Sequence, residues 1–131
     1  IELDQTIRRW PRNAQTDPYQ TGFQDLAATL QPFLGGALFS IAYNEYCAPT
    51  LEEAVADLIR QGATDITVVT TMFTPGGAHS EIEIPETLDH LRRIHRGVTL
   101  RYAWPFDLNL VAAMLAKQVE KKTDCFSDTG G

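Results

Sequence analysis

The stretch DITVVTTMFTPGGAHSEIEIPETLDHLRRIHRGVTLRYAW, Asp65 to Trp104, decides the fold. Its opening residues, Asp65 to Phe73, are rich in β-branched side chains and almost uncharged, which predicts a strand covered on both faces. A Pro75-Gly76-Gly77 loop interrupts the run. Pro85 then fits the first turn of a helix whose inner face is Leu88, Leu91 and Ile94, and Gly97 closes it. Val98 to Trp104 reads as the next strand. A strand, a helix and a second strand joined in this way predict a parallel pair with a crossover helix.

The same alternation continues outward. Upstream, Thr50-Leu51-Glu52-Glu53 is a capping box, with the Thr50 hydroxyl and the Glu53 carboxylate each placed to meet the other's backbone N–H. It opens a helix with Leu51, Ala54, Val55, Leu58 and Ile59 on its core face, and Gly62 ends it. Residues 37–45, ALFSIAYNE, are an apolar run suited to a buried strand. Phe23, Leu26, Ala27, Leu30 and Leu34 fall at helical spacing before Gly35-Gly36. Downstream, Asp107 can cap a last helix with Leu108, Val111, Leu115 and Val119 inward. The order α-β-α-β-α-β-α predicts an α/β three-layer sandwich with a mostly parallel sheet. Residues 1–18 read as an irregular arm holding Arg8, Arg9, Trp10 and Arg12, with a short helix at 3–9. Residues 123–131 read as a flexible polar tail.

Length and composition bound the function. A chain of 131 residues predicts one domain, here residues 1–122, with 44% apolar and 21% charged residues in the ordinary globular range. The formal net charge of -6 argues against nucleic-acid binding by bulk charge. No apolar run reaches the ~20 residues that cross a bilayer, and no signal-peptide pattern opens the chain. Cys47 and Cys125 make no disulfide framework, which points to a reducing cytoplasmic compartment.

In open parallel sheets, ligands bind beyond the carboxyl ends of the strands. Three loops meet that condition: Asn44 to Cys47, Phe73 to Ser80, and Trp104 to Asp107. They bring His79 together with carboxylates, a donor set suited to a divalent first-row metal and equally to proton transfer near neutral pH. Plainer readings stand beside this one. His79 is then a solvated loop histidine and Glu45 an exposed strand end. Glu83 closes a second capping box with Ser80, and Gly76-Gly77 only permits a turn. A glycine loop before a helix also suits a phosphate, but it matches no established phosphate fingerprint. His90 and His95, among Asp89, Arg92, Arg93 and Arg96, read as solvated surface. Cys47 reads as a packing residue.

At GGAHSEIEIP, Gly76 to Pro85, the chain resembles the small class II tetrapyrrole metal chelatases, the sirohydrochlorin cobaltochelatase and ferrochelatase type. Their pattern is a strand, a glycine pair, any residue, His, and an acidic residue before Ile-Pro. NEYCAPTLEEA, Asn44 to Ala54, is similar to the family's Glu followed by Pro-Ser/Thr-Leu-Glu-Glu-Ala. The resemblance covers about residues 20–122. It implies a flavodoxin-like chelatase fold and a lyase that needs no ATP. The reaction it implies inserts Co²⁺ or Fe²⁺, with Ni²⁺ also possible, into sirohydrochlorin or a related tetrapyrrole for cobalamin or sirohaem. The residues it implicates are His79 and Glu45 as metal ligands or proton acceptors, and Glu83 as a ligand or a partner orienting His79. Gly76 and Gly77 would let a flat ligand approach. Arg8, Arg9 and Arg12 are further candidates, from charge alone, to grip the substrate's carboxylates. The alternatives are a non-catalytic module that binds metal or tetrapyrrole, and a flavodoxin-like domain with unrelated phosphate ligands.

One departure is notable. The family opens with an apolar strand ending in a Gly-His-Gly-like motif, and this chain has no such strand and no histidine before His79. The resemblance therefore implies an absent native N-terminus and exposed edges on the strands at 37–45 and 65–73. An additional N-terminal segment or a second copy, as in a homodimer, would complete the sheet.

Overall fold

The computed structural model describes residues 18–43 and 48–130. In chain order these form α1 (Pro18–Leu30), a 3₁₀ turn (Gln31–Leu34), α2 (Leu51–Arg60), β1 (Asp65–Val68), a π-helical turn (His79–Glu83), α3 (Ile84–Ile94), β2 (Thr99–Tyr102) and α4 (Leu108–Gly130). The Arg8–Arg12 arm, Glu45 and Cys47 lie outside the described residues. The chain is mixed α/β, and it divides into two compact units. One is Ile1–Ile66 with Thr87–Leu100, the other Thr67–Glu86 with Arg101–Gly131.

β1 and β2 pair directly. The Thr99 N–H donates to the Thr64 carbonyl at 2.9 Å and the Ala103 N–H to the Val68 carbonyl at 2.8 Å. Both partners advance along the chain by the same step, so the pair is parallel. Both strands are shorter than expected, covering Asp65–Val68 rather than 65–73 and Thr99–Tyr102 rather than 98–104. The expectation that the first is covered on both faces is corrected as well. Ile66 is buried and Val68 half-buried, while Asp65 and Thr67 are exposed. In β2, Leu100 and Tyr102 take the inner positions in the same alternation. Uncharged composition alone does not distinguish one covered face from two.

The apolar run at 37–45 is not a strand in its described part. Strand-forming side chains need a ladder to satisfy their backbone groups, and among the described residues β1 pairs only with β2. Instead the Tyr43 N–H donates to the Pro49 carbonyl at 2.9 Å, and the Tyr43 ring meets Phe23 of α1 at 5.4 Å between centroids.

In the first unit the local signals on α2 hold. The Thr50 N–H donates to Glu53 Oε1 at 3.1 Å and the Glu53 N–H to Thr50 Oγ1 at 3.2 Å, so the capping box is complete. Glu52 and Glu53 in the first turn and Arg60 in the last complement the helix dipole. Gly62, at φ 102°, turns the chain beyond the Gln61 cap, a conformation that side chains resist. The buried residues of this unit are Ala54 and Val55 of α2, Ile66 of β1, Leu88 and Leu91 of α3, and Leu100 of β2. Arg92 donates through Nε and Nη2 to the Leu100 carbonyl at 3.1 and 2.8 Å, and its Nη1 meets Asp89 at 2.7 Å.

Several expected core positions are exposed instead. Ile94 on α3, Leu26 on α1 and Leu34 in the 3₁₀ turn are exposed, and so are Leu108, Leu115 and Val119 on α4. Helical spacing places side chains on one stripe, but burial needs a surface to meet it, and the described residues supply none for these stripes. Asp107 does cap α4, its Oδ1 accepting from the Asn109 N–H at 2.9 Å. The helix continues to Gly130, where a polar tail was expected after residue 122. No proline interrupts the segment, and Thr123 Oγ1 returns to the Val119 carbonyl at 2.9 Å.

The energetics of the first unit are open to measurement. Leu88 is fully enclosed, at 0% exposure. Leu88→Ala is expected to destabilise the protein by about 2–5 kcal/mol, and Thr50→Ala by about 1 kcal/mol. Urea unfolding monitored by circular dichroism measures both, and a Leu88→Ala loss smaller than that of Thr50→Ala would contradict this assignment of the core.

Candidate active site

The second unit carries the histidine. β1 ends at Val68, and the loop that follows folds on itself locally, with the Met72 N–H donating to Thr70 Oγ1 at 3.0 Å. Gly76 takes φ 110°, where only glycine is comfortable, and so reverses the chain just before the π turn. A Cβ on Gly77 would touch Ser80 Oγ at 3.5 Å, an ordinary contact, so Gly77 is not required by space.

The turn His79–Glu83 has π geometry: the Ile84 N–H reaches back five residues to the His79 carbonyl. Such turns are rare and are frequent at functional sites. His79 and Glu83 pair through Nδ1 and Oε2. His79 is half-buried and Glu83 exposed. A carboxylate partner on one ring nitrogen orients the imidazole, an arrangement that metal-binding and proton-accepting histidines use. The second capping box, Ser80 with Glu83, does not form. Ser80 lies inside the turn, 1% exposed, with its Oγ on the Gly77 carbonyl at 3.3 Å. The Glu83 side chain is turned to His79 instead.

Tyr102, at the end of β2, donates its hydroxyl to the Ser80 carbonyl at 2.7 Å. Burial raises the Tyr102 phenol above its ordinary 10.0, and the negative charge of Glu81 pushes in the same direction. The phenol therefore stays a donor across the neutral range. Tyr102 also begins a row of rings. It stacks on Trp104 at 6.1 Å between centroids, Trp104 meets Phe106 edge-on at 6.0 Å, and Phe106 meets Phe73 edge-on at 5.2 Å. The loops after the two strands are thus joined by aromatic contacts. Sequence reasoning assigned Tyr102 no role, offered Ser80 only as a capping-box residue, and placed Phe73, Trp104 and Phe106 in candidate loops without relating their rings. The available signal was the two-residue spacing of Tyr102, Trp104 and Phe106, which puts alternate side chains on one face.

Among the described residues, no group of three or more His, Cys, Asp or Glu side chains converges to hold a metal ion. His79 and Glu83 are brought together, whereas Glu45 and the three arginines lie outside the described residues. No described helix is long and apolar enough to cross a membrane.

A histidine paired with a carboxylate on a turn beyond a parallel strand is able to bind a metal or move a proton. The family model of CbiX matches residues 14–122. The chain belongs to the CbiX family, the sirohydrochlorin cobaltochelatases. A comparison with curated proteins gives no match.

The Tyr102 environment has a measurable consequence. A phenol whose pKa is higher in the folded state stabilises the protein fully below the unfolded value of about 10. That contribution is lost as pH rises from there through the folded value. Stability of the wild type is expected to fall more steeply above pH ~10 than that of Tyr102→Phe, as read by urea unfolding at stepped pH. Equal slopes would contradict the burial assigned to this hydroxyl.

Proposed function

We propose that this protein inserts Co²⁺ or Fe²⁺ into sirohydrochlorin or a closely related acidic tetrapyrrole, without ATP. Family membership supports the reaction class, since chelatases of this family are ATP-independent lyases. The observation that carries the reading to particular atoms is the pairing of His79 Nδ1 with the Glu83 carboxylate. The substrates are a hydrated divalent metal and a macrocycle bearing two pyrrole N–H groups. The metal exchanges water for ring nitrogens, and two protons leave the macrocycle.

His79 is the group for this work. Its imidazole ligates the incoming metal or accepts one pyrrole proton, and an imidazolium so formed is stabilised by Glu83. Glu83 acts on the reaction through His79. Glu45 is proposed as the second proton acceptor or metal-delivery carboxylate, and the loop of Gly76 and Gly77 as the approach for the flat ring. Arg8, Arg9 and Arg12 are proposed to meet the substrate's carboxylates, offsetting the repulsion expected from a chain of net charge -6. The alternative, a module that binds metal or tetrapyrrole without turnover, separates from this one by whether insertion is catalytic.

Insertion is followed by the absorbance change of sirohydrochlorin with each metal in turn. His79→Ala is expected to slow it by at least ~10²-fold while leaving the circular dichroism unchanged. Near-normal turnover in that variant would remove His79 from the mechanism, and binding without turnover in the wild type would favour the binding module. Replacing Arg8, Arg9 and Arg12 together with Ala is expected to weaken substrate affinity and flatten its salt dependence. Unchanged affinity at low salt would exclude the arm from the substrate site.

A further inference from the structure

The π turn leaves one backbone group in need of a partner. Its register runs five residues back, with the Ile84 N–H on the His79 carbonyl. In the same register the Ser80 carbonyl would accept from residue 85. Residue 85 is proline and has no N–H to give. The carbonyl belongs to a residue that is 1% exposed, where an unmet acceptor is costly. The Tyr102 hydroxyl fills this position at 2.7 Å. In an ordinary α-helical register the Ile84 N–H would itself serve Ser80, and the tyrosine would not be needed.

We propose that Tyr102 is a positioning residue for His79: by serving the Ser80 carbonyl in place of the N–H that Pro85 lacks, its hydroxyl holds the turn in the π register. The competing register moves the Ile84 N–H from the His79 carbonyl to that of Ser80 and removes one residue from the turn. Successive residues of an α-helix are about 100° apart around the axis. The switch would therefore swing the His79 side chain by about that angle relative to α3. The aromatic stack of Tyr102 on Trp104 fixes the ring that carries the hydroxyl. For the reaction the proposal rests on the reading of His79 as the catalytic imidazole; the register itself does not depend on that reading.

The test is Tyr102→Phe, which keeps the ring and removes the donor. Through-hydrogen-bond NMR coupling reads the register directly. In the wild type the Ile84 nitrogen couples to the carbonyl carbon of His79, and in Tyr102→Phe the coupling is expected to move to that of Ser80. In the same variant kcat for metal insertion is expected to fall, by up to about 10²-fold, with KM for sirohydrochlorin unchanged. A Tyr102→Phe protein that keeps the wild-type coupling would overturn the proposal. So would a coupling that moves to Ser80 while kcat stays at the wild-type value. If the coupling behaves as expected but the wild type inserts no metal, the register assignment stands and the chelatase reading fails.

Discussion

The parallel pairing of β1 with β2 is the constraint on which the site depends. Parallel strands end at the same edge of a sheet, and their following loops therefore leave from one side. The backbone bond from Ala103 to Val68 fixes the register at that edge. With it fixed, the ring at the end of β2 stands within reach of the turn that follows β1. An antiparallel pair would send these two loops to opposite ends. The bond from Tyr102 to Ser80 and the contact of Phe106 with Phe73 both join segments far apart in sequence, and neither is available without that register.

The histidine turn is held by polar bonds more than by burial. Ser80 bonds to Gly77, Tyr102 bonds to Ser80, and Glu83 bonds to His79. Only Ser80 and the adjoining Ile84 are buried there. The first unit contrasts with this. Its buried residues are aliphatic and come from two helices and the strand pair, a packing that resists rearrangement because each side chain is enclosed. A turn fixed by directed hydrogen bonds instead holds the direction of the His79 ring while leaving it only half-buried.

The exposed apolar stripes belong to the same account. Leu108, Leu115 and Val119 on α4 and Leu26 on α1 keep helical spacing although they are exposed in the described structure. The pattern in the sequence records that a face is apolar. Whether the face is covered depends on a second surface, which no window of sequence contains.

Local chemistry was legible in the sequence because it depends on neighbours along the chain. The capping box at Thr50 and Glu53, the turn at Gly62, the Asp107 cap and the strand-helix-strand order of Asp65 to Trp104 follow from side chains a few residues apart. The histidine motif that led to the family is equally local, and the family match over residues 14–122 agrees with it. Tertiary structure decided what depends on distant partners. It set the shorter strands, the single covered face of each, the lack of a ladder on residues 37–43 among the described residues, and the pairing of Glu83 with His79 in place of a capping box. The π register is the sharpest case. Pro85 withholds a donor and can be read in the sequence, but the group that replaces it lies on the next strand, so only the fold shows how the Ser80 carbonyl is satisfied.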